Sequence, residues 1–176
     1  MLNLWSEKLE YSLSIQQEFD IQILKKHITN CKSIVKTDEK QDKSGVDYIA
    51  KLNDGAEILI DAKTRLKGSS KYWNFGEPEL VLEVYSVVEN KKLGWTLNDS
   101  TNVDYILYTF DKSDAEVYYF IPFQLLRKAF WLNGKEWAKK YGYKIQASDS
   151  WHSSAVFVPA STVIKSVYAQ MWGKVI

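Results

Sequence analysis

The sequence predicts an α/β fold, a mixed central β-sheet flanked by helices. Three observations lead there. Residues 5–29 carry apolar side chains at helical spacing with no Gly or Pro. Residues 46–63 read as a β-hairpin, with Asn53-Asp54-Gly55 as its turn signal. Alternating β-rich runs then follow at 79–86, 104–110 and 116–121 before helical spacing returns at Pro122. With 45% apolar content and no repeat or linker, residues 1–176 are expected to form a single domain.

Taken in order, the first helix presents Leu9, Leu13, Phe19, Ile23 and Leu24 as its stripe and carries Glu7, Glu10 and Glu18. Its last turns hold Lys25, Lys26 and His27, where cations suit the helix dipole. Residues 31–35 fit a strand or the tail of that helix, and KTDEKQDKS (36–44) is a polar loop. The hairpin joins Val46–Leu52 to Glu57–Lys63. Residues 64–76 are a loop, and ELVLEVYS (79–86) alternates as a third strand. Residues 89–102 connect it to DYILYTF (104–110) and EVYYFI (116–121), a second hairpin. Pro122 starts a helix running to Trp131, with Leu125, Leu126 and Phe130 on one stripe, and 137–140 extend it or form a second short helix. Residues 155–158 are a strand ending at Pro159. A last helix, 161–171, is capped by Ser161 or Thr162.

The net charge of +1 excludes a globally basic nucleic-acid binder and leaves room for local patches. A lone Cys31 excludes an internal disulfide framework and a cysteine-based zinc site. There is no run of 18 apolar residues, and MLNLWSEKLE lacks a signal-peptide pattern. The expectation is a soluble cytoplasmic protein with no membrane partner. His27 and His152 are too far apart in sequence for a metal cluster of their own, and no GxSxG elbow, HExxH or P-loop occurs.

The first hairpin carries the densest chemistry. With a three-residue turn at Asn53–Gly55, facing residues sum to 108, so Asp47 lies opposite Asp61. Asp61 and Lys63 then share a face. A two-residue turn slips the register by one and sets Asp47 against Ala62. Two carboxylates suit Mg²⁺ or Mn²⁺, with the Ala62 carbonyl between them as a further oxygen ligand. Lys63 can orient a water or neutralise charge on phosphorus. The plain alternative is a surface hairpin with an Asp61–Lys63 ion pair. Against it, Ile58, Leu59 and Ile60 make the strand apolar on both faces, and a buried strand ending in Asp-Ala-Lys is costly unless the charges have partners.

A helix, Gly-Val-Asp at a strand start and ILIDAK at the end of the next strand together resemble the PD-(D/E)XK nuclease superfamily. GVDYIAKLNDGAEILIDAKTR, LVLEVYS, GW, DYILYTF and PFQLLRKAF are similar to its small phage-type members. Val46-Asp47 stands where the motif has Pro-Asp, and Asp61-Ala62-Lys63 is the second motif. The resemblance implies a restriction-endonuclease-like sheet and a Mg²⁺- or Mn²⁺-dependent hydrolase that cuts DNA. Asp47 and Asp61 would be metal ligands and Lys63 the catalytic lysine. It also implies a Glu from the first helix, for which Glu18 is the best match and Glu7 and Glu10 are rivals. Glu83, an acid on an otherwise apolar strand, is a further metal candidate or else a solvent-facing residue.

Two basic segments flank these motifs. Lys63, Arg65, Lys67 and Lys71 lie in 63–76 without an acid, a local charge of +4. Residues 127–144 hold Arg127, Lys128, Lys135, Lys139, Lys140 and Lys144 against Glu136, a net +5. Arg65, Lys67, Lys71, Arg127 and Lys128 are the candidate nucleic-acid contacts. Interleaved Trp and Tyr residues suit stacking on unpaired bases, and a solvated cationic face with its aromatics in the core is the competing account. A second class of function is an inactive nuclease-fold protein of phage origin that binds nucleic acid or a host defence protein. Duplex cutting by so small a domain needs two active sites or two nicks, so a homodimer is an expected state.

Overall fold

The computed structural model describes residues 16–38, 45–65, 71, 73–110, 117–147 and 151–172. Among them are three helices and nine strands. In chain order these are α1 (16–27), β1 (Cys31–Lys36), β2 (Tyr48–Leu52), β3 (Glu57–Arg65), β4 (Glu79–Val87), β5 (Lys92–Leu93), β6 (Tyr105–Phe110), β7 (Tyr118–Pro122), α2 (Phe123–Tyr141), β8 (Tyr143–Ala147), β9 (His152–Pro159) and α3 (Ala160–Met171). The α/β class holds, but the strands make two sheets instead of one. A five-stranded sheet runs β1-β2-β3-β6-β7, and a four-stranded sheet runs β5-β4-β9-β8. The first is mixed: β3 and β6 are parallel and its other pairs are antiparallel.

The β2–β3 register decides what the fold brings together. Tyr48 pairs with Ile60, Ile49 with Leu59, Ala50 with Ile58 and Lys51 with Glu57. Each pair sums to 108. Leu52 N–H donates to Ala56 at 2.8 Å, which closes the three-residue turn, and Gly55 takes φ 89, where a Cβ would be strained.

Side-chain alternation on the five-stranded sheet sorts the interior into two cores. Tyr48, Ala50, Ile60 and Leu107 pack with Ile23, Leu24 and Ile28 on the α1 side. Ile106, Tyr108, Phe110 and Ile121 face the other way, into a larger core shared with Leu80, Leu82, Val156 and Val158 of the second sheet and with α2 and α3.

Four expectations change in detail. Residues 31–36 are a strand, antiparallel to β2. The helix after Pro122 is one continuous element of 19 residues, not two. Phe123, Leu126, Phe130 and Trp137 keep one buried stripe, and a Cβ on Gly134 would come within 3.2 Å of the Phe130 ring, so glycine there serves close packing without breaking the helix. Tyr143 and Lys144, the end of the second basic segment, open strand β8, which is the edge of the second sheet. Finally, α3 has no side-chain cap from its own first residues. The Glu77 carboxylate supplies one from outside, accepting from Ser161 N–H at 3.1 Å and from its hydroxyl at 2.8 Å.

Candidate active site

The hairpin register carries Asp47, one residue ahead of β2, to the level of Asp61 in β3. Asp47 N–H donates to the Ile60 carbonyl at 2.9 Å, and Ala62 N–H donates to Asp47 Oδ2 at 2.6 Å. The first acid is thus tied through its own side chain to the residue between the second acid and the lysine. Lys63 Nζ donates to Asp61 Oδ1 at 2.5 Å. The Asp61 side chain is 2% exposed and that of Lys63 32%, so the pair has a buried anionic end and an accessible cationic end.

Burial pushes the Asp61 carboxyl up to about 7, against the pull of the Lys63 ammonium, while neighbouring Asp47 adds to the rise. A buried carboxyl with a second acid beside it is a site that a cation would stabilise. The donor set fits a divalent, oxygen-loving ion: two carboxylates with the Ala62 carbonyl between them, leaving positions for water and substrate oxygens. No group of three or more His, Cys, Asp or Glu able to hold a metal occurs among the described residues.

Lys63 also lines a cleft of about 160 Å³ between the two sheets, together with Thr64, Arg65, Tyr108, Val81, Glu83, Trp95, Gln146, Ser153 and Ala155. Glu83 therefore opens onto the same space as Lys63. Its Oε2 accepts from Trp95 N–H at 3.3 Å, and Gly94 lies so close that a Cβ there would come within 2.6 Å of Glu83 Cγ. Trp95 in turn has Lys63 Nζ 5.8 Å from its ring centroid.

Other expected residues fall elsewhere. Glu18 is exposed and lines an open depression on α1 with Gln17, Ile21, Gln22 and Lys25. The acid that α1 turns inward is Asp20, 3% exposed, which accepts from Tyr48 Oη at 3.0 Å and from Gln16 Nε2 at 2.8 Å. Burial raises its carboxyl to about 6 against both hydrogen bonds, and Asp47 adds a smaller upward push. Asp20 shares the apolar stripe of Ile23 and Leu24, three and four residues on; an acid on that stripe was the available signal. Glu7, Glu10 and Lys67 lie outside the described residues. Lys71 and Lys128 are exposed. Arg127 is committed to an ion pair with Asp99 and stacks over Phe123, so it is bound within the protein's own surface. Gln146 and Ser153 carry no sequence signal for this cleft, because only the packing of the second sheet brings them to β3, and Trp95 enters the sequence reading only through the Gly94-Trp95 pair.

No helix among the described residues is long and apolar enough to cross a membrane. No protein-family model matches the chain, and neither a curated protein nor a solved structure matches it.

Proposed function

We propose that the protein is a metal-dependent nuclease of the PD-(D/E)XK type that hydrolyses DNA phosphodiester bonds, with Asp47, Asp61 and Lys63 as its working residues. The observation that carries this reading is the 108-sum register, which brings Asp47 level with Asp61 and leaves Lys63 facing an open cleft. The order of α1, Asp47 ahead of β2 and Asp-Ala-Lys within β3 is also the order in the superfamily that the sequence resembles.

Asp47, Asp61 and the Ala62 carbonyl would hold Mg²⁺ or Mn²⁺. Such an ion supplies Lewis-acid polarisation of the phosphodiester and acidifies water. Asp61, raised by burial, is the acid whose charge a cation would stabilise most. Lys63 extends from the acid pair into the cleft, where its ammonium would orient the attacking water and offset charge building on phosphorus. Glu83, on the opposite wall, is available as an additional acid toward the same space.

The test is cleavage of plasmid and single-stranded DNA with Mg²⁺ or Mn²⁺, comparing wild type with Lys63→Ala and Asp61→Asn. Each change is expected to lower the rate by about 10²–10⁴-fold. Cleavage that survives both sinks the assignment of residues. Binding without cleavage under either ion favours a non-catalytic nucleic-acid-binding protein built on the same scaffold.

A further inference from the structure

The cleft has a second cationic feature beyond Lys63. Arg65, two residues on along β3, places its guanidinium carbon 5.4 Å from the centroid of the Phe157 ring. Lys144 of β8 places Nζ 4.2 Å from the same centroid. Two elements far apart in sequence thus bring two cations onto one aromatic ring. Phe157 is 6% exposed, so the ring is a fixed support, not a surface for a base to stack on. Among the described residues neither Arg65 nor Lys144 makes an ion pair with a carboxylate. Like charges gathered on a fixed support without a counter-ion attract an anion. Next to them, Gln146 and Ser153, paired across β8 and β9, line the cleft with side chains able to donate hydrogen bonds.

The spacing points in the same direction. Lys63 and Arg65 share a strand face, and two residues along a strand rise about 6.6 Å. That is the scale of one nucleotide step in an extended backbone. Lys144 and Gln146 sit on β8, the edge strand of the second sheet.

We propose that Arg65 and Lys144 form a phosphate clamp, holding the phosphate one step from the scissile one on a nucleic-acid strand laid along the cleft, with Gln146 and Ser153 as hydrogen-bond partners. The inference rests on the reading that this site handles a phosphodiester. Lys144 becomes a binding residue and β8 becomes part of the substrate track.

The experiment is fluorescence anisotropy of a labelled oligothymidylate in EDTA, so that no cleavage is read, over a series of KCl concentrations. The variants are Lys144→Gln, Arg65→Gln/Lys144→Gln and a charge-matched control, Lys32→Gln/Lys165→Gln, at exposed positions on β1 and α3. The double clamp variant is expected to bind roughly tenfold more weakly, with the log–log salt slope shallower by about 0.7, the loss of one phosphate contact on a single strand. The control is expected to bind as wild type does. Lys144→Gln, on an edge strand, gives a smaller loss in the same direction and serves if the double variant does not fold. Unchanged affinity and slope in the clamp variants, an equal loss in the control, or no binding by wild type overturns the proposal. A protein that binds through the clamp but never cuts with Mg²⁺ or Mn²⁺ overturns the hydrolase and leaves the clamp standing.

Discussion

Lys63 Nζ and Asp61 Oδ1 lie 2.5 Å apart, with the acid almost fully buried and the lysine partly open to the cleft. The arrangement is asymmetric in its energetics. Taking Asp61 out of water costs more than Lys63 returns, which is why the carboxyl stays raised even with an ammonium in hydrogen-bond contact. A second carboxylate, Asp47, adds to that cost. The site is therefore under-neutralised with its own residues alone, and its unmet demand is for positive charge.

That demand makes a direct prediction for metal binding in the absence of any substrate. Mg²⁺ at about ten times its dissociation constant is expected to stabilise the folded state by about 1.4 kcal/mol, raising the thermal midpoint by about 3–5 °C. Asp61→Asn and Asp47→Asn should each abolish the rise. Differential scanning fluorimetry with Mg²⁺ and with Mn²⁺ checks this, and an equal shift in wild type and both variants would show that the ions bind elsewhere.

Asp20 predicts a pH dependence whose sign follows from its raised carboxyl. Its ordinary value of 3.8 applies to the unfolded chain and about 6 to the fold. Between those values the folded state holds a proton that the unfolded state has lost. The stability from this group is fully present below about 3.8 and is lost as the pH rises through 6, on the order of 3 kcal/mol in all. Asp20→Asn mimics the protonated acid beside Tyr48 and Gln16. Its unfolding free energy, measured by urea between pH 4 and 7, is expected to fall less steeply with pH than that of wild type. Parallel curves would show that Asp20 ionises as freely in the fold as in water.

The parts of this fold that were legible in the sequence are those set by local chemistry. Asn53-Asp54-Gly55 demands a turn, but its residues allow two lengths, and only the observed three-residue turn sets the register that brings Asp47 level with Asp61. Alternation in 79–86 and 104–110 identified β4 and β6, but no local pattern says which sheet a strand joins. The second sheet is therefore not visible in the sequence: β4 pairs with β9, more than sixty residues away, through Leu82–Val156 and its neighbours. The helix acid shows the same limit at a single position. Glu18 is the acid that the family resemblance points to, whereas rotation about α1 depends on the stripe that packs, and that stripe includes Asp20. β8 is hidden because its one lysine, Lys144, counts with the cations at the end of α2, and a strand start and a cationic helix tail look alike when counted by charge.

Gly94 tests whether the cleft wall has slack. A Cβ there would come within 2.6 Å of the Glu83 carbonyl oxygen and 2.7 Å of its carbonyl carbon, both backbone atoms that cannot swing aside. Gly94→Ala is expected to cost about 1–3 kcal/mol of stability. It should also displace Trp95, whose N–H donates to Glu83 and whose ring meets the Lys63 ammonium. A urea titration gives the first quantity and the rate of DNA cleavage the second. A variant as stable and active as wild type would mean that the 93–96 segment has room to relax away from β4.

Glu77 provides a separate measure of how α3 is held. The helix starts straight after Pro159 with no side-chain cap of its own, and the Glu77 carboxylate accepts from both the backbone N–H and the hydroxyl of Ser161. A carboxylate at a helix N-terminus satisfies an otherwise unpaired donor and meets the positive end of the dipole. Glu77→Ala is expected to destabilise the protein by about 1 kcal/mol, the usual loss on removing an N-terminal cap. Glu77→Gln keeps one acceptor oxygen for Ser161 N–H but loses the second acceptor and the charge, and so should fall between the two. The cleft lies at the opposite side of β4 and β9 from α3's buried face, so cleavage by Glu77→Ala at a temperature well below its midpoint should match wild type. A loss of activity larger than the loss of folded protein would show instead that α3 and the Lys63 cleft are mechanically coupled through β9.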